Sequence, residues 1–546
     1  MLTAMNKLNQ LLESNLAFWQ KIYRTLGSMK FAVVIILAFA SALVYGTFME
    51  SYHGREFANR LVYKSLWFMG MQGLMFASIF IATVDRFPMK KRLCGFYTLH
   101  FGLLTLFVGS FFTYVSGIDG MVELLPNGPT NKVSIDESYL YLRKSNGSTR
   151  TLKLPFNAFA VDIDETLDNI KVKTFYPSAK LKTHYIAAQE QSDHSGKYLI
   201  YNENVSQDFI LSINPKSDFK SSQTLGPLNI HYVQDRLYPC FKAPGAAKLI
   251  VWNARTLTCR NIEDILGAKL EKTPTGRRFV AIEEENKLHK FFPEISPLPV
   301  NEDLTPDQDS ALRIFSLQVF ERKPNLFIFG KSIAFYHKRK KAWVGKEFAS
   351  KETPLMLPWM GFKLKLEEHQ EGLYPIQRPE FVKPIHDKGS LIEGDLKVVQ
   401  VEIDGETHWV RNDIPLNLEK GSSKVQMMIR PKEVRLPYQL TLKEFVMKMN
   451  PGTQTPASYE SFVSLLDGRN QQGAKTHHVF MNNPLKYDDF TFYQSSYFPV
   501  GPKTYGSALS VNYDPGRPFK YGGSLLLVLG SIWHFILNRK KKKVFA

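Results

Sequence analysis

Two histidines stand in stretches of sequence otherwise fit for lipid: His100 in "RLCGFYTLHFGLLTLFVGSFFTYVSG" (92–117) and His534 in "GSIWHFILNRKKKK" (530–543). An imidazole at membrane depth needs a partner. One kind is a hydrogen bond to a neighbouring helix, worth about 0.6 kcal/mol on average. The other is a metal, above all haem iron, for which neutral imidazole is a common ligand. With Arg92 at the cytoplasmic edge, eight residues at about 1.5 Å each place His100 roughly 12 Å into the bilayer. His534 comes five residues before Arg539, roughly 7 to 8 Å from the same edge. Both rings fall in the cytoplasmic half. Depth alone leaves both kinds of partner open for His100, and His534 stands as an alternative second ligand against a role in helix packing.

The rest of the chain offers little further chemistry. The ten histidines from His184 to His478 form no H-x-x-x-H or other compact ligand pattern. His477 and His478, being adjacent, would point to opposite faces of a strand. Each of the ten reads as a surface or packing residue. "FGKS" (329–332) resembles part of a phosphate loop, but Asn325 stands where the first glycine should be. No local set of nucleophile, base and oxyanion donors can be assembled, so no catalytic residue is assigned and a soluble hydrolase has nothing to rest on. Of three cysteines, Cys240 and Cys259 lie where a disulfide is chemically allowed, although spacing alone does not show that they meet. The absence of C-x-x-C excludes a thioredoxin-like reductant and a covalent haem carrier.

Membrane spans must position the two histidines. Four apolar segments of about the length that crosses a 30 Å hydrocarbon core lie at 31–49, 66–84, 97–116 and 521–538. Thirty residues precede the first and two more spans follow closely, so it reads as a retained anchor rather than a cleaved leader. Lys7, Lys21, Arg24, Lys30, Arg86, Lys90, Lys91, Arg92, Arg539 and Lys540 to Lys543 all fall on one side of a four-span arrangement. Only Glu13 and Asp85 oppose them, giving +11 of the formal +18. By the positive-inside rule both termini are cytoplasmic. The basic pI of about 9.4 therefore records topology, and no nucleic-acid partner is expected. Residues 1–30, with Leu8, Leu11, Leu12, Trp19, Ile22, Tyr23 and Leu26 near helical spacing, predict a helix on the cytoplasmic membrane surface. Residues 539–546 form a basic cytoplasmic tail.

Residues 117–520 carry no further span and must lie outside. "LKVVQVEID" (396–404) and "SALSVNYD" (507–514) read as strands, and "TLKEFVMKM" (441–449) as one of few candidate helices. A Pro-rich, charged stretch at 291–311 is the candidate linker, with a possible division near 300. The expected fold is a membrane protein of four transmembrane α-helices with a large, mainly antiparallel β extracytoplasmic domain between the third and fourth.

Several separate stretches, in order, resemble one family. "LAFASALVYGTFME" (37–50), "YKSLWF" (63–68), "TVDRFP" (83–88), "LHFGLLTLFVGSF" (99–111) and "GIDGMVELLPNG" (117–128) are similar to the opening of ResB proteins. "MNNPLKYDDFTFYQSSY" (481–497) and "YDPGRPFKYGGSLLLVLGSIWHFI" (513–536) resemble their closing strands and last helix. The family is the ResB or CcsB half of the system II cytochrome c haem lyase; the middle of the chain, about 130–430, matches in character more than in words. The resemblance implies a chain that works with a CcsA/ResC-type membrane partner to move haem b across the cytoplasmic (inner) membrane and join it to apocytochrome c. Thiol reductants of the apocytochrome belong to the same implied set of partners. It also implies His100 as a haem ligand, with the catalytic centre of the holocytochrome c synthase mainly on the partner. Arg86, Lys90, Lys91 and Arg92 at the inner edge would attract the propionates. A membrane-anchored structural or sensory protein, with an extracytoplasmic β binding domain and no haem role, is the competing reading.

Overall fold

The computed structural model describes residues 18–542 except 190–192, 275, 285–286, 301–304, 309, 388–389, 421–422, 453–455, 471–472 and 503. Its helices, in chain order, are α1 (18–26), α2 (Met29–Ala58), α3 (Leu66–Val84), α4 (Cys94–Ser116), α5 (Tyr238–Lys242) and α6 (Arg517–Lys542). Four of them, α2, α3, α4 and α6, are long and apolar enough to cross a membrane. Ser28 and Ser65 cap the starts of α2 and α3, their hydroxyl oxygens accepting from the backbone N–H of Phe31 and Phe68. The α3 bounds coincide with the expected span. The other three helices run past theirs, and α2 continues to Ala58 across Gly54, whose φ of +80° interrupts the regular helix. Of the surface helix expected over 1–30, α1 carries Trp19, Ile22, Tyr23 and Leu26, with Trp19 and Tyr23 exposed. Leu8, Leu11 and Leu12 lie outside the described residues, as does the end of the basic tail.

The contacts divide the chain into residues 1–180 with 379–546, and residues 181–378. The division does not fall near 300. Within the 291–311 stretch Phe291 is buried and pairs with Pro299, so residues 291–299 fold back on themselves inside the second unit.

In the first unit, Lys475–Val479, Pro456–Leu466, Ser423–Met449, Pro129–Lys144, Ile118–Leu124, Thr504–Tyr513, Phe490–Gly501 and Leu485–Tyr487 lie side by side in a ten-stranded antiparallel sheet, completed by Leu416–Lys420 and Thr149–Lys153. Residues 441–449 belong to the long strand Ser423–Met449 and are not helical. Leu436, Tyr438, Leu440 and Leu442 are buried at every second position, and that period of two carries the chain into 441–449 as strand. One end of the sheet packs on a smaller one through Leu140, Leu142 and Met427 against Val172, Phe175, Val399 and Val410.

The two connections between helices and sheet run side by side. Gly117 alone separates α4 from Ile118–Leu124, while Thr504–Tyr513 leads through Asp514 into α6, and the two strands pair from Ile118↔Tyr513 to Leu124↔Ser507. The helices continue that pairing through glycines at seven-residue intervals, Gly95, Gly102 and Gly109 on α4 and Gly516, Gly523 and Gly530 opposite. A β-carbon at Gly102 would stand 2.8 Å from the Gly523 carbonyl oxygen, and one at Gly530 2.5 Å from the Leu99 nitrogen. Small residues permit this approach, and packing is the main force joining helices in lipid. At the join, the partly buried Asp514 carboxylate accepts from Thr113 at 2.5 Å and pairs with Lys520 at 2.6 Å.

The second unit is a set of small β-sheets. Asn325–Phe329 pairs antiparallel with Ser332–His337 and parallel with Leu228–Tyr232. That sheet and the one formed by His194–Tyr201 and Lys363–Glu371 enclose Tyr198, Ile200, Ile230, Tyr232, Leu326 and Leu364. "FGKS" is a hairpin turn, Gly330 adopting φ +57° between its strands. A disulfide joins Cys240 in α5 to Cys259.

Candidate functional site

The helices α2, α3 and α4 border a cleft of about 530 Å3. Its walls are Ala32, Ile35 and Ile36 from α2, Met75, Ser78, Ile79 and Ala82 from α3, and His100, Leu103, Leu106, Phe107 and Ser110 from α4. The glycine seam explains why His100 faces it. Residue 100 is five positions beyond Gly95, about 140° around the helix, so with Gly95 turned to α6 the imidazole turns towards α3.

The His100 ring is fixed by its own helix. Its Nδ1 lies 3.0 Å from the Phe96 carbonyl oxygen, which can only accept, so Nδ1 carries the hydrogen and Nε2 keeps its lone pair. Anchoring one imidazole nitrogen on a backbone carbonyl is the usual support for metal ligation through the other. The Phe96 and His100 rings are 3.8 Å apart, and the Arg86 guanidinium lies over the Phe96 ring at 4.3 Å. Arg86 also donates to the Ala82 carbonyl, and the Tyr97 hydroxyl donates to the Arg86 carbonyl, tying the α3–α4 turn together.

Of the four basic residues expected at the inner edge, Arg86 reaches the row that ends in His100. Lys90, Lys91 and Arg92 are exposed along the turn that leads into α4. His534 is exposed on α6, its backbone against Gly95, and is not among the residues that line the cleft. The structure therefore brings His100 and Arg86 into one arrangement and leaves His534 outside it.

A second cavity of the same unit, about 700 Å3, was not anticipated from sequence; Arg55, Glu56, Asp136, Lys397 and Arg430 are among its lining residues. Beside it the Arg60 guanidinium, 4% exposed, pairs with Glu56 and lies 3.7 Å from Asp136, while Lys397 pairs with Glu56 at 2.7 Å. Burial, then the nearby Glu56 carboxylate, push the Asp136 carboxyl up to about 6 against the pull of Arg60 and Lys397. Nearby, His53 Nδ1 is 2.7 Å from the Pro384 carbonyl and the His386 ring packs on Gly54. The visible signal was the run of charged residues after the first span, "HGREFANRLVYK" (53–64).

Residues 409–506 match the ResB-like family. The match takes in the second half of the large sheet, including "MNNPLKYDDFTFYQSSY", and leaves the four long helices and His100 outside it. A stretch of 131 residues is 37% identical to Protein NrfI of Wolinella succinogenes, covering 24% of this chain and 13% of that protein. The chain thus spans only a small part of the length of the relative it matches.

Proposed function

We propose that this ResB-like chain is a subunit of a cytochrome c biogenesis system, passing haem b across the cytoplasmic membrane and supporting its attachment to apocytochrome c. The observation that carries the reading is a histidine whose Nε2 keeps its lone pair, facing a cleft that is apolar but for Ser78 and Ser110. At about 530 Å3 the cleft lies within the 300 to 1,000 Å3 usual for ligand sites. In this reading haem is cargo. Leu103, Phe107, Ile35 and Met75 bury the porphyrin, His100 Nε2 ligates its iron, and Arg86 with Lys90, Lys91 and Arg92 draws the propionates to the inner edge. The Phe96 carbonyl holds the tautomer that leaves Nε2 available.

The remaining parts follow from the same reading. A CcsA/ResC-type protein supplies the other half of the path, and thioether formation is assigned to no residue of this chain. The one-sided distribution of basic residues supports cytoplasmic termini and an exported β domain, and a disulfide suits an oxidising compartment.

The test is co-expression with a CcsA-type partner and a reporter apocytochrome, followed by purification. The wild-type complex should show a haem Soret band and make holocytochrome; His100→Ala should lose both, and added imidazole should restore them. Normal holocytochrome from His100→Ala without imidazole would overturn the proposal.

A further inference from the structure

The second unit holds two buried histidines that the proposed haem path does not use. On the paired strands His194–Tyr201 and Lys363–Glu371, His194 sits opposite Glu371 and Gly196 opposite His369. His194 and His369 therefore project from the same face, two positions out of register, and Gly196 places no side chain between them. Their ring centroids are 5.8 Å apart. His194 is 4% exposed and the His369 side chain 6%.

Each ring is held through one nitrogen. His194 Nδ1 is 2.8 Å from the Tyr232 hydroxyl. His369 Nε2 lies 3.3 Å from a Glu371 carboxylate oxygen, which can only accept, so Nδ1 of a neutral His369 keeps its lone pair. The other nitrogen of each ring, Nε2 of His194 and Nδ1 of His369, is buried without a hydrogen-bond partner.

Two buried imidazoles, each hydrogen-bonded through one nitrogen and left unpartnered at the other, resemble metal-ligating histidines supported from their far side. The ring separation leaves room for one ion bonded to both at about 2.0 Å. Among the described residues no group of three or more His, Cys, Asp or Glu converges, so the protein supplies two nitrogens and no anionic ligand. Zinc sites draw three or four ligands from the protein. Imidazole also suits copper, whose monovalent ion accepts two-coordination and needs less charge compensation in a buried site. We infer that His194 and His369 hold one copper(I) ion between their strands.

The test uses the full-length chain in detergent, stripped of metal and titrated anaerobically with copper(I) against a chromophoric copper(I) chelator, with zinc(II) in parallel. One copper(I) per chain should be retained. Affinity should fall at least tenfold in His194→Gln and in His369→Gln, and stay unchanged in His289→Gln and Cys94→Ser. Because either of the first two changes could disturb the core, X-ray absorption at the copper edge of the unaltered protein gives an independent reading, with two imidazole nitrogens and no sulfur expected. Failure to retain copper, a preference for zinc, sulfur ligation, or unchanged affinity in both histidine variants would overturn the inference. Haem plays no part in these readings, so they stand or fall separately from the Soret band of the His100 experiment.

Discussion

Gly523 of α6 lies so close to Gly102 of α4 that a β-carbon on it would stand 2.7 Å from the Gly102 carbonyl oxygen. The neighbouring Gly522 has nothing within 4 Å of the same position. Gly523→Ala must therefore push two helix backbones apart, whereas Gly522→Ala adds a methyl to open space. The first should lower stability by about 1 to 3 kcal/mol, the usual cost of overpacking. The second should be neutral or slightly stabilising. Thermal unfolding of the two variants in detergent decides the matter, and equal effects would contradict the seam.

The cleft can be closed without touching its histidine. Ala82 lines the wall opposite α4, and Ala82→Phe would fill space the proposed haem needs. Haem should be lost although His100 is intact, and added imidazole should not restore it, in contrast to His100→Ala. The Soret absorbance of the purified complex, with and without imidazole, separates the two.

Asp136 gives the β region a pH dependence of known sign. Its carboxyl is raised from 3.8 to about 6, chiefly by burial and next by Glu56, so the folded chain keeps a proton that the unfolded chain has lost. The stability this group contributes is complete below about pH 4 and is lost as the pH rises through about 6. In Asp136→Asn that part of the pH dependence should vanish. Chemical denaturation at pH 4, 5, 6 and 7 measures it, and an unaltered slope would count against the raised value.

Cys240 and Cys259 close a loop across a sequence separation of 19. Replacing both by serine should cost about 3 kcal/mol through the greater freedom of the unfolded chain. The loss should appear in unfolding of the second unit, followed by limited proteolysis, and a reductant should reproduce it in the unaltered protein.

The membrane helices were legible because a span needs only length and apolar composition, both local properties. Residues 396–404 and 507–514 were legible as strands for a similar reason, since their β-branched and aromatic residues favour a strand locally even where neighbours such as Val398 and Val399 are both buried. Residues 441–449 were misread because Leu442, Phe445 and Val446 also fit helical spacing, while the deciding alternation begins upstream at Leu436. The seven-residue glycine spacing was present in the sequence, but its meaning required the partner helix. His194 and His369 stand 175 residues apart, and no spacing rule reaches across a separation set by sheet pairing. The charge cluster of Glu56, Arg60, Asp136 and Lys397 is hidden for the same reason.

The paired strands Ile118–Leu124 and Thr504–Tyr513 stand in the interior of the strand order, not at its rim. The polypeptide accordingly enters and leaves by one doorway, and its two legs are cross-braced first by main-chain bonds and then by glycine contacts. A twist or piston stroke of α4 cannot occur without α6, and it is delivered to the middle of the sheet as if along a single shaft. The margins of the sheet, Lys475–Val479 and Leu485–Tyr487, are five and three residues long. Such stubs offer a foreign strand little to zip onto.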